Sequence, residues 1–454
     1  MTCKNRYLLY LLAATLMLTA CSGVEEGDAL DNSQMAEPQA VAFNAYVNRG
    51  ITRGGRPGVV TTDALKTGTH ATDGFGVMAY YTESRRYNQM ALPNFMYNQQ
   101  VTWQTASSPA SWTYTPVKYW PNETGSNGSS KTDYLSFFAY APYIEVDPAT
   151  GCDTGSDKTG IMSLSRPTDN GDPFVRYSVS LKPAEAVDLC WATPHIDQTK
   201  PTVNTTVNLD FHHALASLNV QIDADVDVAG HPSGALDSYT RIWVRSITFR
   251  GFAERGQLNL NNASVTPHWN NLDCDCDLSS DPITIYDGRR DDREGASASL
   301  NELRTGLNPI IVQSGRYTVT PGSPETLSST TAGVTNTTIN LFDPTGVSGD
   351  ADALRTAPIY VIPTNEDLYV TIVYDVETYD PKLTSQYLSD GRTHGSTIEN
   401  SISAYITNGT TPIVMEAGKQ YTLNLHLGVA SVKMNASVTP WADDIGNVDV
   451  NVPE

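Results

Sequence analysis

Apolar and polar residues alternate with a two-residue period at several widely spaced points in this chain, and the first is at residues 41–48. Val41, Phe43, Ala45 and Val47 fall on one side and Ala42, Asn44, Tyr46 and Asn48 on the other, which predicts a strand with one buried face. Residues 74–81, Gly-Phe-Gly-Val-Met-Ala-Tyr-Tyr, read as a buried strand entered through glycine. Aromatic pieces come next at 95–98, 101–103, 112–114 and 119–121, and 135–143 is the most apolar strand of this half. Turns of Pro and Gly break these runs about every ten residues, which points to an all-β sandwich and away from a helical or βαβ chain.

Residues 187–192 read as the last strand of a first domain, and 193–206, with two prolines and several Thr and Asn, as a linker. Strand period resumes at Leu218, Val220 and Ile222, and 242–249, 359–362 and 368–376 are strand-like. The Ser/Thr/Gly/Pro-rich region 321–349 holds at most one strand, at 337–342. The clearest period comes late, with Tyr421, Leu423, Leu425 and Leu427 facing one way and Thr422, Asn424 and His426 the other. After Gly428, Val432, Met434, Ala436 and Val438 alternate with Lys433, Asn435 and Ser437. Two such runs form a hairpin or bend from one sheet into the next. A last piece, Val448-Asp449-Val450-Asn451-Val452, is free to pair with an exposed sheet edge.

Arg49, Arg53 and Arg56 come directly after the first strand, among Gly50, Gly54, Gly55, Pro57 and Gly58. Such a segment is open to a protease, so the first strand could be severed from the remainder of the chain. The plain alternative is an ordinary loop after a first sandwich strand.

The first residues set the compartment. Lys4 and Arg6 precede an apolar run at 7–18 that is too short to span a bilayer, as in a signal peptide. Leu18-Thr19-Ala20-Cys21 then forms a lipobox, with Cys21 supplying the thiol that takes the lipid. The mature chain is therefore expected to be anchored to a membrane through Cys21.

The chain has 50 acidic residues against 29 basic, and removing Lys4 and Arg6 with the signal takes the net charge from -21 to -23. A polymer of phosphates would be repelled, which argues against nucleic acid. The length of 454 residues suggests two or more domains. Cys152 and Cys190 could pair in an oxidising compartment, although no pairing is dictated by spacing. Cys274 and Cys276, between aspartates and near His268, lack a second ligand pair and read as an acidic loop. Asp223, Asp225 and Asp227 share a parity that could suit calcium, but a solvated face explains them as well.

No motif for enzyme chemistry is present: no His-Glu-x-x-His helix, no Gly-x-Ser-x-Gly elbow and no complete phosphate loop. His212-His213, flanked by Phe211 and Leu215, reads as packing rather than catalysis. Neither a cofactor nor a metal is called for. Trp103, Trp112, Trp120 and Trp269 could stack on sugar rings, the basis of an alternative reading as a surface glycan-binding lipoprotein, or fill sandwich cores.

The lipobox, the early Val-Ala-Phe strand and Gly-Phe-Gly-Val-Met-Ala-Tyr at 74–80 belong with four further segments. These are Trp-Thr-Tyr-Thr-Pro-Val-Lys-Tyr-Trp-Pro at 112–121, Leu-Ser-Phe-Phe-Ala-Tyr-Ala-Pro-Tyr at 135–143, Phe-His-His-Ala-Leu-Ala-Ser-Leu-Asn-Val at 211–220 and Tyr-Thr-Leu-Asn-Leu-His-Leu-Gly-Val at 421–429. Together they resemble Bacteroidetes fimbrillins, the type V pilins, particularly the Mfa-like branch. The acidic stretch after Cys21, with Glu25, Glu26 and Asp28, resembles the signal that sends some lipoproteins of that group to the outer face of the outer membrane.

The resemblance implies two tandem transthyretin-like β-sandwiches after a lipoprotein signal peptide. The division would be a signal at 1–20, a tether at 21–40, an amino-terminal sandwich at 41–200 and a carboxy-terminal one at 201–454. It further implies that an arginine-specific or trypsin-like protease removes the first strand, at Arg49 or Arg53 here. A strand from another fimbrial subunit would fill the vacated slot, with Val448, Val450 and Val452, together with 432–438, as candidate donors. The implied partners are other fimbrial subunits, the outer membrane before processing, that protease, and a receptor on a host or bacterial surface.

Overall fold

The computed structural model describes residues 38–47, 59–67, 74–106, 109–121, 131–155, 160–181, 186–201, 205–224, 240–270, 282–287, 311–313, 339–340, 359–378, 380, 382–383, 396–408, 410–428 and 432–440. In chain order these give β1 (Ala42–Val47), α1 (Thr62–Thr67), β2 (Phe75–Glu83), β3 (Met96–Gln104), β4 (Ser111–Thr113), β5 (Tyr134–Ala141), β6 (Ile161–Leu164) and β7 (Phe174–Ser178). Next are β8 (Cys190–Ala192), β9 (His195–Gln198), β10 (Thr206–His213), β11 (Ala216–Ala224), β12 (Thr240–Arg250), β13 (Phe252–Ala253), β14 (Arg255–Asn259), β15 (Trp269–Asn270) and β16 (Ile283–Asp287). The last group is β17 (Ile311–Gln313), β18 (Ile339–Asn340), β19 (Ile359–Pro363), β20 (Tyr369–Thr378), β21 (Ser396–Tyr405), β22 (Thr407–Asn408), β23 (Thr411–Pro412), β24 (Lys419–Leu427) and β25 (Val432–Pro440). The expected all-β class holds, and α1 is the one helix among the described residues.

The amino-terminal sheet runs β1-β10-β8-β5-β2-β3-β4, with β9 also paired to β5. Its central strands β2 and β5 are buried on both faces, which is why they read as continuous apolar runs and not as alternation. One face, with Phe75, Val77, Phe137, Ala139 and Phe211, encloses a first core with Trp112, Tyr114 and Trp120. The edge strands β1 and β4 approach each other, so the sheet curls around that core. The other face, with Met78, Tyr80, Phe138, Tyr140 and Trp191, packs on Leu164, Val175, Tyr177 and Leu258 from a four-stranded sheet ordered β15-β14-β7-β6.

The carboxy-terminal half is a two-sheet sandwich, in which β13-β19-β11-β24-β25 faces β16-β12-β20-β21. Leu218, Val220, Leu423 and Leu425 from one sheet meet Val244, Ile247, Val370 and Ile372 from the other. The late alternating runs form the hairpin β24–β25, paired antiparallel from Leu427 opposite Val432 to Lys419 opposite Pro440.

Two sequence expectations are corrected. Residues 193–206 are not a bare linker, because β9 returns within them to pair with β5. The expected boundary at 200/201 therefore falls between two strands of one sheet, and β10 lies there between β1 and β8. Val207, Leu209 and Phe211 alternate as any strand would, and a local period carries no information about which sheet a strand joins. β14 and β15 likewise leave the second half of the chain to pair with β7 and each other. Cys152 and Cys190 are both free thiols, the first exposed and the second buried on β8, so the suggested disulfide is not formed.

Gly74 shows how closely the strands approach. Its φ is +83°, and a Cβ there would stand 1.9 Å from the Val101 carbonyl oxygen on β3. Gly74→Ala is expected to lower stability by at least ~1 kcal/mol from backbone strain alone, read as a fall in the urea unfolding midpoint.

Candidate functional site

The geometry of β1 singles it out. Val41, Phe43, Ala45 and Val47 are only 2 to 5% exposed, while Tyr46 stands 40% exposed on the opposite side. Among the described residues the strand pairs with one neighbour only, running parallel to β10 from Ala42 opposite Thr206 to Val47 opposite Phe211. Its start is held by Val41 N–H donating to the Lys118 carbonyl at 2.9 Å and by the Tyr114 hydroxyl donating to the Val41 carbonyl at 2.8 Å. Its end is held by Val47 N–H donating to Thr62 Oγ1 at 3.0 Å. Burial raises the Tyr114 phenol above its ordinary value, which keeps the hydroxyl a donor.

Phe43 is the anchor. Its ring lies 5.5 Å from Tyr114 and 5.8 Å from Phe137, edge to face with the latter. Beside β1 in the same sheet, Val207, Leu209 and Phe211 of β10 face the same core, and Trp120 packs on Phe137. Taking β1 away would uncover this apolar floor together with the backbone edge of β10.

The candidate residues named from the sequence divide clearly. Cys21, Arg49, Arg53, Val448, Val450 and Val452 lie outside the described residues, as do Asp225, Asp227, Cys274 and Cys276. β1 ends at Val47, two positions before Arg49. The other donor candidate, 432–438, is docked as β25 on its own sheet, with Met434 and Ala436 buried. Trp112 and Trp120 are core residues, and Trp103 and Trp269 pack half-buried against the cores. His212 packs on Trp191 at 5.4 Å and pairs with Thr193 Oγ1 at 2.9 Å. Periodicity located β1 but not Tyr114, Lys118 or Thr62, whose partners come from distant segments.

A sequence profile of the family described as fimbrillin-like matches residues 61–287, half of the chain. The chain belongs to the fimbrillin-like family. This fimbrillin-like protein is also 26% identical to a fimbrium subunit, Fim1C, of Phocaeicola vulgatus, over 98% of both chains. A crystal structure of a fimbrial protein from Bacteroides vulgatus shares the fold, with a TM-score of 0.51 and 22% identity, covering 89% of this chain and 99% of that one.

Two outcomes are expected for the slot of this fimbrillin-like protein. Phe43→Ala removes an anchor worth ~3–5 kcal/mol, whereas Tyr114→Phe costs ~0.5–1.5 kcal/mol; hydrogen exchange at the amides of β1 should quicken in that order. The pH dependence arises from His212 on β10, whose imidazole burial holds below the ordinary histidine value. The unfolded chain then binds the extra proton first, so the contribution of His212 is complete above pH ~6.5 and is lost as pH falls from there toward the lowered folded value. Denaturant unfolding of His212→Gln should show a shallower loss across that window than the unaltered chain.

Proposed function

We propose that this chain is a subunit of a cell-surface fimbria, assembled by removal of its first strand and entry of a strand from the next subunit. The role is structural and adhesive, not enzymatic. On this reading the chain is exported as a lipoprotein through Cys21, held at the outer membrane, and cut after Arg49 or Arg53 by an arginine-specific or trypsin-like protease. Val448, Val450 and Val452 of a neighbour then occupy the positions of alternate β1 side chains.

The observation that carries this reading is the placement of β1 itself. A sheet-edge strand with a single partner can leave without breaking any other ladder, yet it fills its core with four side chains. Burying Val41, Phe43 and Val47 contributes roughly 5–9 kcal/mol, while ordering six residues costs roughly 6–12 kcal/mol. The two nearly cancel, and ladder hydrogen bonds decide the balance. While covalently attached, β1 is held at high local concentration; once severed, it can be displaced by a strand of similar alternation. The emptied slot gains burial and backbone pairing together when refilled.

The test is limited trypsin treatment of the full chain, with mass spectrometry and sizing. Cleavage after Arg49 or Arg53, then a ladder of multimers that Val450→Asp suppresses, is expected. Cleavage at those sites that leaves only monomers, or a ladder unaffected by Val450→Asp, would overturn the exchange mechanism.

A further inference from the structure

Outside the slot, three side chains with metal-ligating chemistry meet at the end of β8 and β10. Cys190 and His213 are directly opposite in the β8–β10 ladder, and Asp188 precedes Cys190 by two positions, so strand period brings all three to one face. The carboxylate of Asp188 and the Cys190 side chain are fully buried, and His213, 9% exposed, is the route to solvent. His213 Nδ1 lies 2.6 Å from Asp188 Oδ2, and Cys190 Sγ lies 3.5 Å from that nitrogen and 3.6 Å from that oxygen.

We infer that Asp188, Cys190 and His213 form a binding site for a borderline-soft divalent transition ion, of which Zn²⁺ is the representative. A tetrahedral zinc with ligand bonds of ~2.0–2.3 Å separates its donors by about 3.5 Å, which two of the three distances already match. The third is a hydrogen bond that opens as the ion replaces its proton. Asp188 Oδ1 is a second sign: it is buried and has no hydrogen-bond partner among the described residues, whereas Oδ2 also accepts from the Val60 N–H at 3.3 Å. A buried carboxylate oxygen left unpaired is unfavourable, and a cation satisfies it.

Charge selects the ion. A thiolate, a carboxylate and a neutral imidazole carry two negative charges, so a dication gives a neutral unit in a buried place, while a monovalent ion leaves one charge uncompensated. Thiolate and imidazole donors disfavour Ca²⁺ and Mg²⁺, which take oxygen ligands. Binding releases the thiol proton to solvent and leaves the imidazole proton on Nε2, which makes affinity fall in acid. Three protein donors leave the fourth position to water. The bound ion would tie β8 and β10 together and, through the Asp188 bond to Val60, hold the segment just past the arginine-rich stretch against the slot floor. The metal site stands independently of the fimbrial role.

The experiment uses the purified full chain, stripped by chelator and titrated with Co²⁺ and then Zn²⁺. One equivalent of Co²⁺ should give a thiolate-to-metal charge-transfer band that Zn²⁺ abolishes, and Zn²⁺ should raise the melting temperature. Cys190→Ser should remove the band, and His213→Gln should weaken affinity by more than ~10-fold, the lower end of what altering even an outer partner of a metal ligand costs. Should Cys190→Ser fail to fold, His213→Gln and Asp188→Asn, checked by circular dichroism, carry the test. Absence of the band from the folded chain overturns the site. So does a band that persists in these variants but disappears in Cys274→Ser with Cys276→Ser, since the ion would then sit on that other pair.

Discussion

Parallel pairing of β1 with β10 is the constraint around which the amino-terminal half is arranged, because β10 has a different neighbour on every side. One of its edges receives β1 and the other β8. Its inner face places Val207, Leu209 and Phe211 in the first core. Past His213 the backbone continues through Ala214 and Leu215, both buried in the core shared with Tyr360 and Ile362, directly into β11. The floor of the slot is thus one unbroken stretch of chain with the central strand of the carboxy-terminal sandwich. A strand entering the slot would pair with β-strand backbone and not with a loop.

A second parallel pair, β11 with β24, repeats the arrangement in the other half, from Ser217 opposite Gln420 to Ala224 opposite Leu427. In each half an early strand joins one that arrives after a long crossover, in a fold otherwise paired antiparallel. Contacts of such sequence separation carry the largest loop-closure cost and gain least from local structure. The two differ in exposure: β11 is flanked by both β19 and β24, whereas among the described residues β1 has β10 alone. Removing β11 would split a sheet; removing β1 shortens one. Of these two parallel pairs, only the one in the first half therefore places its early strand at a sheet edge among the described residues.

Much of this was legible in the residues. The alternation at 41–47 and at 421–438 became strands, the latter as a hairpin, one of the two arrangements expected, and the apolar runs at 74–81 and 135–143 hold β2 and β5. What was not legible was association. β10 carries a strand period that says nothing about its sheet, and β9, with all four residues half-buried, gives no signal strong enough to outweigh the flanking prolines. β21 carries little signal for another reason: as the edge strand of its sheet it exposes most of its length, and Ile398 is 60% exposed. The Tyr114 bond to β1 spans 73 positions and the Asp188–His213 pair 25, so neither could be read before the sheet order was known.

Burial also bears on which strand would be donated under the proposed assembly. β25 is an edge strand, and its hydrogen bonds to β24 could be exchanged for bonds to another subunit. Yet Met434 and Ala436 belong to the carboxy-terminal core, with Val438 packed against it. Withdrawing β25 would uncover the flank of Tyr421, Leu423 and Leu425, so burial gained in a neighbour's slot would be offset by burial lost at home. A segment beyond Pro440 with the right alternation incurs no such loss from β25. Val448, Val450 and Val452 meet that requirement in sequence, and Asp449 and Asn451 alternate with them as Asn44 and Tyr46 alternate with the buried residues of β1. Under the proposed assembly, donation from 448–452 would leave β25 in place on β24 and its buried side chains in their own core.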